Sequence, residues 1–204
     1  MAYEIDTLIV KHLADIDATA KRLHALESEI FSVIDKKATD WARQADWTGE
    51  FDYLGKVGLW LAPNDWKTPG INKTDIPSRA WFSLTWGAGD SGRPGTQGED
   101  YFCLTRLCGV GSGEIGFRFV FRKDLISWKQ WKSHLGSVTG LVEKTAFLPD
   151  SENSFFLPFR IEATKLAESL EEESLEEALG PFEAALAQLA EAKAAFDRLI
   201  AAFG

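Results

Sequence analysis

The chain is poor in cysteine, histidine and methionine, with two, three and one respectively among 204 residues. Cys103 and Cys108 lie five positions apart, lack CxxC spacing and have no neighbouring histidine. That spacing supports neither a zinc site nor a dithiol redox centre. Without an export signal the two thiols read as free packing residues rather than a bridge. HExxH is absent, no dense His/Asp/Glu cluster occurs, and no ordered Ser, His and Asp set marks a nucleophile. His12 and His24 fall in the first segment and His134 in the middle, where helix packing or solvent contact accounts for them. No cofactor is expected. Apolar runs are also short: none approaches the roughly 20 residues that span a bilayer. The start, Met1 to Asp6, carries Glu4 and Asp6 instead of a basic leader. The expectation is therefore a cytoplasmic protein without a membrane partner.

Positive charge is scarce as well. Lysine and arginine number 22 against 31 acids, a formal charge of -9, which argues against a broadly basic nucleic-acid-binding surface. The charge is uneven: residues 1–40 carry -3, residues 41–160 carry +1 and residues 161–204 carry -7. What the chain does have is apolar material, 45% of its residues, enough for one core and incompatible with wholesale disorder. All eight tryptophans lie between Trp41 and Trp131, implying a compact aromatic core or an aromatic-lined groove.

Three blocks follow: an N-terminal amphipathic helix (1–40), an aromatic-rich α+β core (41–160) and acidic C-terminal helices (161–204) packing against the first. From Tyr3 to Ile34 there is neither proline nor glycine, and Ile9, Leu13, Ile16, Ala20, Leu23, Ile30 and Ile34 recur at threes and fours. Glu27 interrupts that stripe, so a helix laid against another element is expected in preference to a strict coiled coil. The last block repeats the pattern through Leu175, Leu179, Phe182, Leu186, Leu189, Phe196 and Ile200. Ser174 and Glu177 have capping-box spacing, placing Glu171, Glu172 and Glu173 near a helix start. Gly180 would stop that short helix, and Pro181 would open the next.

Between the helical ends, Arg79–Trp86 and Tyr101–Leu107 read as strands, and Ile115, Phe117, Phe119 and Phe121 alternate with Gly116, Arg118 and Val120 in the clearest two-residue period of the chain. Gly109–Gly113 would join the last two as a hairpin. Gly58–Leu61 is a weaker strand candidate. Leu125, Trp128, Trp131, Leu135, Val138 and Val142 form a helical stripe that can cover the sheet. Leu148–Phe159, with Pro149 and Pro158, reads as extended or edge strand. The predicted fold is α+β, a small antiparallel sheet flanked by helices, with the long terminal helices packed as an arm or hairpin.

No compact catalytic signature emerges. The glycine-rich stretch 87–98 offers backbone N–H groups and Arg93 to an anion, but lacks the GxxxxGK[ST] order of a phosphate cradle. Asp100 and Glu114 are the residues that a metal-dependent phosphodiester hydrolase would require, with Arg106 or Arg118 facing phosphate. Lys129 and Lys132 beside Trp128 and Trp131 are the nucleus of a direct RNA- or DNA-binding reading. The leading expectation is non-enzymatic protein recognition or regulation. Glu171, Glu172, Glu173, Glu176, Glu177 and Arg93 would contact the partner, a basic protein of the kind that processes nucleic acids, with self-association as a further form of that reading.

Overall fold

A computed structural model of the chain describes residues 2–68, 76–88, 100–111, 113–122, 128–150 and 154–202. The architecture is α+β, with a six-stranded antiparallel sheet flanked by long N- and C-terminal helices. Helix α1 (Ala2–Lys11) runs with one step at His12 into α2 (Leu13–Gln44). The step keeps its hydrogen bonds, since His12 N–H donates to the Leu8 and Ile9 carbonyls and Ile16 N–H to that of His12. Nothing in this stretch breaks a helix, as the first glycine is Gly49 and the first proline Pro63. The helix therefore continues through residue 40 and carries Trp41.

Strands β1 (Trp47–Glu50), β2 (Trp60–Pro63) and β3 (Ala80–Ala88) follow, with a 3₁₀ turn at Asn64–Trp66. Helix α3 (Cys103–Leu107), β4 (Gly113–Phe121), α4 (Trp128–Val142), β5 (Leu148–Asp150) and β6 (Ser154–Phe159) complete the middle. Helices α5 (Ala163–Glu171) and α6 (Gly180–Ala201) end the chain. The strand order is β1-β2-β3-β4-β6-β5.

The two-residue period is realised in β3 and β4, where Phe82 lies opposite Phe119 and Leu84 opposite Phe117. Those four side chains are buried on one sheet face, with Leu157 of β6 opposite Phe117. Against this face the helices bring Phe182 and Phe196. Phe196 stacks on Phe119 at 4.5 Å between centroids and meets Phe82 edge-on at 5.1 Å. Trp131 of α4 stacks on Phe121 at 5.8 Å. On the opposite face, Phe156 lies over Gly116 and Gly87, where an added Cβ would come within 2.6 and 2.3 Å of its ring. Trp47, Trp60, Trp66 and Trp131 are buried, so these tryptophans build core and do not line an open groove. The Trp66 indole N–H also donates to Asp197 at 2.7 Å, tying the 3₁₀ turn to α6.

Three expectations are corrected. Residues 101–107 are not a strand: Cys103–Leu107 is helical, and Leu104 and Leu107, three apart, are its buried face. The predicted hairpin is therefore replaced by direct pairing of β3 with β4. The short helix after Ser174 is a series of turns, and Gly180 begins α6 instead of ending a helix before it. Pro181 does occupy the first turn of α6, as its missing N–H predicts. Strand β1, which sequence periodicity did not mark, extends the sheet beside β2.

Candidate functional site

Helix α5 ends at Glu171 and turns back through Glu172 and Glu173. Glu173 has φ +53°, Glu173 N–H bonds the Leu170 carbonyl at 3.4 Å, and Ser174 N–H bonds that of Ser169 at 2.9 Å. This is the Schellman pattern of a helix C-terminus, whose left-handed position is most often glycine. Here a glutamate holds it. The acid run consequently lies at the negative end of a helix dipole, not near the positive end that the capping-box spacing predicted.

Glu171, Glu172, Glu173, Glu176 and Glu177 are all exposed. Among the described residues none of the five has an ion-pair partner within 4 Å. Two of them, Glu173 and Glu176, line a groove between α2 and the α5–α6 connection, made of two adjoining hollows of about 610 and 390 Å³. Val33, Glu173 and Leu175 line both hollows. The larger reaches Trp41 and Leu186, the smaller Leu26, Ile30 and Leu170.

Most charges on the α2 side of this groove are already neutralised. Lys36 pairs with Asp40 at 3.2 Å, Lys37 pairs with Glu183, and Arg22 pairs with Glu29 at 3.1 Å. The side chains whose charge is uncompensated are thus the glutamates of the α5–α6 connection. An apolar floor beside an anionic rim is chemically matched to a segment that carries both apolar and basic side chains.

Of the residues expected to contact a partner, Glu173 and Glu176 line the groove, and its apolar floor was not expected from the sequence. Its signal was faint: Leu26, Val33 and Trp41 sit at the edge of the α2 stripe, half-buried, where periodicity does not separate core from groove. Of the other named residues, Arg93 lies outside the described residues, as does most of the glycine-rich stretch 87–98. Asp100 pairs with Arg106 at 3.5 Å and accepts the Gly113 N–H at 3.1 Å, so it ties α3 to the start of β4. Glu114 lies opposite Gly87 at the end of the β3–β4 ladder. Among the described residues no group of three or more His, Cys, Asp or Glu is arranged to hold a metal. Lys129 and Lys132 are exposed, but Trp131 between them is buried in the core and presents no ring to a base. Arg118 is engaged with Asp150 at 2.5 Å and with the Trp86 carbonyl at 2.8 Å.

A second cluster surrounds Tyr53. Its ring stacks on Phe31 at 4.4 Å and meets Trp86 edge-on, and Arg106 lies over the Trp86 ring at 4.4 Å. Glu27, the irregularity in the α2 stripe, is buried there and accepts the Leu104 N–H at 3.0 Å, capping the first turn of α3 from a distant element. Cys103 adjoins it as a free thiol, and Cys108 is free as well. Burial, reinforced by the Glu27 carboxylate, pushes the Cys103 thiol up against the opposing pull of Arg106, so at neutral pH it is a thiol and not an activated nucleophile. This cluster is a staple between α2, α3 and the sheet.

Compared with protein-family models, with curated proteins and with solved structures, the chain gives no significant match.

Proposed function

We propose that the chain is a non-enzymatic protein-recognition module whose acid-rimmed groove takes a basic, amphipathic segment of a partner protein. The observation that carries this reading is the combination at Glu173. One residue lines both hollows, holds a left-handed conformation that disfavours any residue with a Cβ, and adds anionic charge at a helix C-terminus where anions are unfavourable. Local stability argues for glycine there. A carboxylate placed against those preferences, beside four others that have no ion-pair partner among the described residues, is accounted for by a cationic partner. Proteins that process nucleic acids present suitable basic surfaces, and the glutamates would stand where phosphates otherwise bind. Charge would steer the encounter and burial of Val33, Trp41 and Leu175 would supply affinity.

The test uses a fluorescent helical peptide with leucine and lysine on opposite faces as probe. Replacing Glu171, Glu172, Glu173, Glu176 and Glu177 together by glutamine is expected to weaken binding at least tenfold at low salt, with the difference shrinking as salt rises. Leu175→Ser is expected to weaken binding by a factor that salt does not change. Undiminished affinity in the five-glutamine variant refutes the proposal. So does an affinity that follows charge alone and ignores Leu175, which is the signature of unspecific attraction to an acidic protein.

A further inference from the structure

The groove occupies the body of the molecule, whereas the N-terminal arm contributes nothing to it before Arg22. Every residue from Glu4 through Thr19 is exposed. Six of the eleven exposed large hydrophobic side chains among the described residues lie here: Ile5, Leu8, Ile9, Val10, Leu13 and Ile16. At about 100° per residue, all of them except Val10 fall on one broad stripe that also holds Ala20 and Leu23. The stripe is continuous with the face that α2 buries in the body through Ile30, Ile34 and Ala38. The arm is thus the same amphipathic helix with its cover removed. A helical stretch of this length is marginal alone in water, and its stability must come from burial of that face.

We propose that the cover is a second copy of this chain, the two arms pairing antiparallel about an axis near Leu13. Charge selects both the partner and the direction. Along the flank of the stripe beyond Leu8 stand Glu4, Lys11, Asp15 and Arg22, alternating in sign. In an antiparallel pair this flank meets the same flank of the other copy. With the axis near Leu13, Glu4 lies level with Arg22 and Lys11 level with Asp15, and two-fold symmetry makes each pair twice. On the other flank Asp6 and Asp17 then face Ala20 and Ile9 and not each other. In a parallel pair the first flank meets the second, setting Glu4 near Asp6 and Asp15 near Asp17, acid against acid. The antiparallel register also brings the two Leu13 side chains together and Ile5 toward Leu23. Two intrachain pairs involve these flank residues, Arg22–Glu29 and His12–Asp15, and neither competes strongly, because all four side chains are more than half exposed.

Sedimentation equilibrium of the full chain tests this. The protein is expected to be a dimer at micromolar concentration, and Ile9→Asp with Ile16→Asp is expected to be a monomer. Because all eight tryptophans lie outside the arm, unchanged tryptophan fluorescence reports that the body stays folded. Arg22→Glu reverses two symmetry-related pairs at once and is expected to weaken the dimer about tenfold at low salt. Adding Glu4→Arg to it restores the affinity, a rescue that only an antiparallel pairing of identical arms provides. A wild-type protein that remains monomeric at roughly 100 µM, including one whose arm binds only some other protein, overturns the proposal. A dimer in which the double reversal fails to rescue also overturns it. The monomer test leaves the groove untouched, because Ile9 and Ile16 line neither hollow; Arg22 lines the smaller one, so peptide binding is compared in the Ile9→Asp, Ile16→Asp variant and not in Arg22→Glu.

Discussion

Replacing Glu173 by glycine separates the backbone strain at this position from its charge. A side chain with a Cβ in the left-handed region is disfavoured by roughly 1–2 kcal/mol. Glycine removes that strain, while its freer unfolded state takes back about 0.4–1 kcal/mol. Loss of an anion from the C-terminal end of α5 adds about 0.3–1 kcal/mol, toward the lower figure because Glu173 is exposed. The net expectation is a stabilisation of about 1 kcal/mol, or about 2–4 °C in Tm for a protein of this size. Glu173→Gln retains the strained backbone and loses only the charge, so its gain is a few tenths of a kcal/mol. Urea unfolding followed by tryptophan fluorescence measures both variants against the parent. The stabilised glycine variant is also expected to bind the basic peptide more weakly than the parent. A glycine variant no more stable than the glutamine variant refutes the assignment of strain. A glycine variant that is more stable and binds unchanged leaves the glutamate without the role proposed for it.

Burial pushes the Asp35 carboxyl up to about 6, against the pull of the Tyr53 N–H it accepts at 3.1 Å and with a further push from Asp52. A raised folded-state value means that the folded protein keeps this proton where the unfolded chain, near 3.9, has lost it. The stabilisation is complete below about pH 4 and disappears as pH rises through about 6. Asp35→Asn is therefore expected to match the parent near pH 4 and to exceed it above pH 6, in urea midpoints taken across that range. A constant offset between the two would contradict this. Glu27→Ala leaves the buried Leu104 N–H without its acceptor and is expected to destabilise the fold by about 1–3 kcal/mol. Glu27→Gln keeps an acceptor oxygen and is expected to recover most of that loss in the same assay.

Local pattern was sufficient wherever one stretch of chain carries its own instruction. The stripe from Ile9 to Ile34, interrupted only at Glu27, specifies a helix because the stretch holds no glycine or proline. The alternation Ile115, Phe117, Phe119 specifies a strand with one buried face, and five clustered glutamates specify an exposed segment because burying them unpaired is prohibitive. What only the tertiary structure decided are the places where a distant group supplies the missing interaction. Residues 103–107 become helical against an alternating pattern because Glu27, 77 positions away, accepts the backbone N–H of Leu104. The capping-box spacing at Ser174 goes unused, as the chain there makes turns between the end of α5 and the start of α6. The groove floor is assembled from Val33 and Trp41 on one segment and Leu175 and Leu186 on another, so no window of sequence contains it. The same logic separates the two halves of the first helix. One periodic stripe runs through both, and whether it is core or bare surface depends on where the body of the protein ends.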